Sequence, residues 1–321
     1  MSLNKKRYDI NQCALYKCKG KNRLAYLLHM KKEEFDKLEK LIEYYSFTTD
    51  KNDGDKRLIT APKNNLKRIQ KRILKLITFV KRPAWLISGE RGKSYIDNGK
   101  FHQQSHYLLT MDIKKFYENC KRELVYRFFR YTLCMSGDIA HILTNIVTLE
   151  QKIPTGCPTS QLIAYYAYQE MFENINEIAN KYNCFFTLYV DDMTFSSKEP
   201  FNPNKLKNEI DIELRKYGHK PKYSKVQYYS RKSNKLVTGV VISKDHKLLV
   251  ANKLQKKIYD NAMQLKKVNG NNKDAKIAYQ LERDLRSLKG QLQAAKNVNT
   301  RIFPEINRLV ENTIVDLSKS K

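Results

Sequence analysis

Acidic residues are what this sequence is short of. Only 33 Asp and Glu stand against 61 Lys and Arg, giving the 321-residue chain a formal net charge of +28. An excess of that size repels itself and calls for a polyanionic partner or a strongly anionic surface. An AT-rich genome would inflate Lys, Tyr, Asn and Ile, but it accounts less readily for the shortage of acids. Metal-ligand spacing of cysteine is also absent. Cys13, Cys18, Cys120, Cys134, Cys157 and Cys184 form no C-x-x-C pair and match no histidine spacing. They read as free thiols in a reducing compartment, not as a zinc site or a disulfide framework. Long apolar runs are missing too. No stretch approaches the roughly 20 residues that span a bilayer, and no apolar core of a signal peptide opens the chain. The expectation is a cytoplasmic protein with no membrane partner. No internal repeat or long low-complexity segment occurs.

What is present is enough apolar residue, 41%, to build a core at this length, as one large domain or two to three smaller ones. The 21 Tyr and 13 Phe interleave with the cations. Rings stack on bases while Lys and Arg hold phosphates, so the composition suits nucleic acid.

The stretch from Phe185 to Ser196 organises the rest. Its β-prone flanks predict two strands with Asp191-Asp192 at the turn between them. Adjacent carboxylates there are ordinary turn chemistry. They are also a costly pair that a hard divalent cation with oxygen ligands, Mg2+ above all, would neutralise. Upstream, residues 107–113 read as a buried strand ending at Asp112, followed by a helix from Lys114 to Phe129. Asp112 is either a carboxylate for chemistry or a cap for that helix. Between the two lies Ile153-Pro154-Thr155-Gly156-Cys157-Pro158-Thr159-Ser160. This turn opens one long helix, Leu162 to about Tyr182, and either lets a ligand approach the backbone or simply caps the helix.

Elsewhere the pattern predicts a helix pair in residues 1–50 and a short basic strand at Lys56–Pro62. A helix from Asn64 to about Val80 carries Leu66, Ile69, Ile73, Leu76 and Ile77 as its apolar stripe. Ser88 to His106 reads as loop. A helix is expected over Asn204–Tyr217, and Leu236–Ile242 as one strand. From about Leu248 the chain reads as a separate basic helical module, broken at Asn269-Gly270-Asn271-Asn272.

These residues together resemble a reverse transcriptase. Tyr189-Val190-Asp191-Asp192 resembles the Y-x-D-D motif. Met111-Asp112-Ile113-Lys114-Lys115-Phe116-Tyr117 is similar to the strand motif that supplies the other carboxylate, and the Pro154-Thr155-Gly156 turn resembles P-Q-G, in the right order between them. The resemblance covers roughly residues 56–245. Within the superfamily the chain looks most like bacterial retron enzymes. Asn98-Gly99-Lys100-Phe101-His102 resembles their N-A-x-x-H segment and Val237-Thr238-Gly239 matches their V-T-G. The compact length, with no RNase H, maturase or endonuclease domain, fits as well. Departures are Thr155 for Gln, Gln161 for Pro, Tyr165 for Asn and Gly99 for Ala.

The resemblance implies an α+β fold of right-hand polymerase architecture. Fingers and palm, the palm an antiparallel sheet packed on helices, would occupy 1–247, and a small helical thumb 248–321. It implies RNA-directed DNA polymerisation with two Mg2+ ions held by Asp112, Asp191, Asp192 and the Ile113 backbone. Lys56 and Arg57 would meet the triphosphate, with Thr155 and Gly156 also at the nucleotide. Tyr117 would exclude a ribose 2'-OH, and Lys225 would donate a proton to pyrophosphate. Arg57, Tyr117 and Lys225 read equally as ordinary surface or core residues. Arg283, Arg286 and Lys289 of the thumb would bind RNA. The implied partners are dNTPs, a cognate structured non-coding RNA primed at a guanosine 2'-OH, its branched msDNA product, and a separate effector protein in anti-phage defence. Other bacterial reverse transcriptases (group-II-intron-like, diversity-generating or abortive-infection) and an inactive RNA-binding relative are the alternatives.

Overall fold

The computed structural model describes residues 7–50, 56–268 and 275–319. Three short helices, α1 (Lys21–Leu28), α2 (Lys32–Asp36) and α3 (Leu38–Leu41), lead into an antiparallel hairpin of β1 (Tyr44–Asp50) and β2 (Lys56–Pro62). Then come α4 (Asn64–Ile77), α5 (Tyr95–His102) and β3 (Tyr107–Asp112), followed by α6 (Phe116–Asn119), α7 (Arg122–Arg127) and α8 (Gly137–Val147). Helices α9 (Ser160–Ala167) and α10 (Gln169–Lys181) precede β4 (Phe185–Tyr189), β5 (Asp192–Ser197) and α11 (Pro203–Lys216). The short strands β6 (Gln227–Tyr229), β7 (Lys235–Val237), β8 (Val240–Ile242) and β9 (Leu248–Val250) come next. The chain closes with α12 (Asn252–Val268), α13 (Ala275–Lys296) and α14 (Pro304–Lys319). Among the described residues no helix is long and apolar enough to cross a membrane.

Two compact units emerge, one of residues 1–93 with 109–228 and another of 94–108 with 229–321. The second therefore takes in α5 and the β7–β9 strands as well as the terminal helices.

In the first unit the sheet runs β4-β5-β3-β6, which sets the end of β3 beside the β4–β5 turn. Helix α4 forms as its stripe predicts, with Leu66, Ile69, Ile73, Leu76 and Ile77 all buried. Each such side chain contributes about 1.5–3 kcal/mol of burial. The helix expected over 114–129 is broken. Lys115 takes φ +52, the chain is extended at Cys120, and α7 runs on into a π-turn over Phe128–Thr132. The long helix expected from 162 breaks at Tyr168 for a related reason. That ring is fully buried, its hydroxyl accepting from the Lys121 N–H at 2.8 Å and donating to the Asn119 carbonyl at 3.2 Å. Tertiary packing of the 119–121 bend thus overrides helix propensity at both places. Residues 44–50 are strand, not helix, because Tyr44-Tyr45-Ser46-Phe47-Thr48-Thr49 is β-prone and pairs with β2.

In the second unit the stretch expected as loop contains α5. Ser94 and Asp97 close a capping box at its start, a signature readable as S-x-x-D. The expected strand 236–242 is instead a tight hairpin of β7 and β8, turning at Thr238 (φ +50) and Gly239 (φ +116). β9 pairs with β8 where helix was expected. Leu265, Leu285, Leu288 and Leu292 pack with Ile258 and Val310 in a core of the terminal helices. The expected break at 269–272 lies outside the described residues.

Candidate active site

The β4–β5 register pairs Tyr189 with Asp192 and leaves Val190 and Asp191 as the turn. Val190 sits at φ +63, a region that a β-branched residue enters only under constraint. Two hydrogen bonds from outside the hairpin supply that constraint. The Val190 N–H donates to Ser88 Oγ at 2.8 Å, and the Ile113 N–H donates to the Asp191 carbonyl at 3.1 Å. The second bond also fixes the end of β3 against the turn, which brings Asp112 to Asp191 and Asp192. The Asp112 carbonyl in turn accepts from the Lys222 N–H at 2.7 Å.

Electrostatics register the crowding. Burial, and then the charge of Asp112, push Asp191 up to about 6, with Lys225 and Arg57 pulling back. Burial, Asp191 and Asp112 push Asp192 up to about 7. Lys225 Nζ donates to Asp112 Oδ2 at 2.5 Å. Burial pulls that ammonium down, but the bond to Asp112 and the charges of all three carboxylates outweigh it, so its pKa is raised. Tyr117 is half-buried, and burial plus the Asp191 charge raise its hydroxyl, against a small opposing effect of Arg57. Arg57 and Tyr117 therefore lie within electrostatic reach of the carboxylates.

Among the described residues no three His, Cys, Asp or Glu side chains converge as a finished ligand set. Here Lys225 takes one oxygen of Asp112. The donor chemistry nevertheless fits a hard divalent cation, being all oxygen, half-buried and mutually repelling.

Thr155 and Gly156 meet β2. The Thr60 N–H approaches Thr155 Oγ1 at 3.5 Å and the Gly156 N–H donates to the Thr60 carbonyl at 2.9 Å. A Cβ on Gly156 would lie 2.8 Å from that carbonyl oxygen, so only glycine permits the approach. The turn thereby supports the strand that carries Arg57. Lys56 is exposed at the start of β2, opposite Asp50.

A model of the reverse transcriptase (RNA-dependent DNA polymerase) family matches residues 49–267. The chain belongs to this family. Among curated relatives, the reverse transcriptase is 27% identical over 227 residues to the Retron Se72 reverse transcriptase of Salmonella heidelberg, covering 69% of this chain and 57% of that protein. It is 24% identical over 279 residues to the Retron Ec83 reverse transcriptase of Escherichia coli, covering 82% and 86%. With the Retron Ec86 reverse transcriptase of Escherichia coli it shares 24% identity over 205 residues, 63% of this chain and 64% of that one. Members of the family work with divalent metal ions.

The other motif residues of this reverse transcriptase lie in its second unit. Asn98 and His102 are fully buried on α5. Asn98 Nδ2 donates to Thr238 Oγ1 at 2.5 Å, joining the N-G-K-F-H segment to the V-T-G turn. Burial drives His102 down to about 3, so it is a neutral packing residue at physiological pH. Val237 is fully buried, and a Cβ on Gly239 would lie 3.5 Å from the edge of the Tyr95 ring. Arg283, Arg286 and Lys289 are exposed at helical spacing on α13, with Arg286 bonded to Glu282 at 2.7 Å. The pattern of the sequence pointed to the carboxylates but not to Ser88, whose segment reads as polar loop. The signal was the apolar Trp85-Leu86-Ile87 just before it.

Proposed function

We propose that this reverse transcriptase is the RNA-directed DNA polymerase of a retron and that its chemistry runs at Asp112, Asp191 and Asp192. The observation that carries the reading is the Ile113–Asp191 hydrogen bond, which ties the end of β3 to the β4–β5 turn, with Asp112, Asp191 and Asp192 within electrostatic reach of one another. A binder of polyanions gains nothing from clustering acids in a chain of net charge +28.

Asp112, Asp191 and Asp192, with the Ile113 backbone, would hold two Mg2+ ions, which when bound would supply the charge that activates a primer hydroxyl and steadies departing pyrophosphate. The protein's own work is positioning and charge stabilisation, as phosphoryl transfer demands. Arg57, with Lys56 before it on β2, would meet the triphosphate while Thr155 and Gly156 keep β2 in place. Tyr117 would press on the sugar and exclude a 2'-OH. Lys225, now on Asp112, would hold the proton that pyrophosphate takes. Residues 248–321 would serve as thumb, with Arg283, Arg286 and Lys289 on RNA phosphates. The template would be a cognate structured RNA, copied from a guanosine 2'-OH into branched msDNA. The setting would be the cytoplasm, with a separate effector protein in anti-phage defence.

The test is to purify the protein from its native setting and treat the bound nucleic acid with RNase and then debranching enzyme. A short DNA joined to RNA through a 2'-5' link, absent with Asp191→Asn, supports the reading. Bound RNA with no DNA attached refutes it.

A further inference from the structure

We propose that Ser88, Glu90 and Arg82 are positioning residues that hold the Val190–Asp191 turn in its reactive shape; the inference rests on the polymerase reading above. The segment from Trp85 to Ser88 runs along the outer edge of the sheet, where, among the described residues, no other strand pairs with β4. The Leu188 N–H donates to the Trp85 carbonyl at 2.9 Å and the Ile87 N–H donates to the Leu188 carbonyl at 3.0 Å. Main-chain pairing then stops, and the Ser88 hydroxyl reaches on to the Val190 N–H. Leu86, Ile87 and Ser88 are all buried, so the strap cannot drift into solvent.

Its far end is fixed by ions. Glu90 is buried and bonded to Arg82, Nη2 to Oε2 at 2.8 Å, and also to the Arg7 guanidinium. The Arg82 side chain is 1% exposed, and its Nη2 also donates to the Thr78 carbonyl beyond α4 at 3.1 Å. Arg7 is held by its neighbour Tyr8, whose N–H donates to the Phe79 carbonyl at 3.1 Å. A buried ion pair is a poor source of net stability, but breaking one is severe. Such a group locks a segment in one place. Here the place it locks is two residues from the hydroxyl that meets the turn.

The turn needs such support. Val190 at positive φ would relax if left free, and relaxation would swing the Asp191 side chain. Ile113 restrains the turn from inside the sheet and Ser88 from the edge. A hydroxyl at this point adds little to strand pairing that is already made. It acts on the one N–H whose direction sets where Asp191 points.

The experiment compares the full chain with Ser88→Ala, Ser88→Thr and Glu90→Gln, measuring polymerisation, melting temperature and Mn2+ binding by electron paramagnetic resonance. A displacement near 1 Å at a reacting group costs up to about 100-fold in rate. The expected result for Ser88→Ala is a kcat lower by roughly tenfold at unchanged dNTP KM, with Mn2+ affinity weakened about fivefold. Ser88→Thr, which keeps the hydroxyl, restores both. Glu90→Gln reproduces the split and carries the test if Ser88→Ala does not fold. Unchanged kcat and Mn2+ affinity in Ser88→Ala overturns the proposal. So does failure of both variants to fold, which would make the strap a plain structural element. A wild-type protein without polymerase activity would instead refute the functional reading, and the Mn2+ measurement would still decide the strap.

Discussion

Replacing Asp191 by Asn should make the protein more stable and, at the same time, inactive. The side chain is forced to ionise in a half-buried place beside Asp112, which raises its pKa from 3.8 to about 6. A carboxyl whose folded pKa lies above its unfolded value favours the fold only while it is protonated. Its cost is small below about pH 4, grows as pH rises from there, and is complete once pH passes about 6. A tenfold change in proton affinity corresponds to about 1.36 kcal/mol, and partial solvent access trims the total to roughly 2 kcal/mol. With an unfolding entropy of about 2.1 cal/mol/K per residue over a unit of about 200 residues, that is roughly 5 °C in Tm. Asn keeps the shape and removes the charge, and it also relieves Asp192, whose rise to about 7 owes part of its size to Asp191. Differential scanning fluorimetry in EDTA at pH 8 and pH 4 is the assay, with and without added Mg2+. The variant should melt roughly 5 °C higher at pH 8, converge with the wild type near pH 4, and gain less than the wild type from Mg2+. Equal melting at pH 8, or a lower Tm for Asp191→Asn, would refute the electrostatic account.

Other consequences follow from single contacts. Gly156→Ala places a Cβ 2.8 Å from the Thr60 carbonyl oxygen, so β2 must shift. We expect a loss of about 1–3 kcal/mol in denaturant melts together with impaired dNTP use, and wild-type values for both would contradict the β2 packing. The Cβ of Gly99→Ala would run into Val240 Cγ2, an overpacking of similar cost. Adding Val240→Ala should recover most of that loss, and an additive double mutant would show that the two do not touch. Tyr117→Ala should raise the use of ribonucleotides relative to dNTPs by about tenfold or more in competing incorporation assays. Unchanged discrimination would remove Tyr117 from the sugar site.

The elements that carry the carboxylates were the most legible in the sequence. Runs of apolar and β-prone residues flank Asp191-Asp192 and precede Asp112, and a buried sheet pins register tightly. Helix α4 was legible because its stripe alone decides its face. The breaks at 119–121 and Tyr168 were not, because they arise from a ring and a bend that meet only in three dimensions. Helix α5 was hidden by Asn98 and Gly99, poor helix formers that a capping box and burial against β7 and β8 outweigh. Thr238-Gly239 matched a motif by spelling, while its role as a hairpin turn required the pairing of β7 with β8. Thr155 and Gly156 read either as a ligand-facing turn or as a plain helix cap, and neither reading includes their bonds to Thr60 of β2. Ser88 is not legible in the sequence because a lone serine carries no pattern, and its meaning rests on the strained Val190 it faces.

The most direct measurement is incorporation of labelled dNTP by the purified protein on a primed RNA template, run beside Asp112→Asn and Asp191→Asn. The account predicts divalent-cation-dependent DNA synthesis by the wild type and none by either variant. Synthesis that survives in Asp191→Asn, or a wild type that binds the primed RNA and extends nothing, would contradict it.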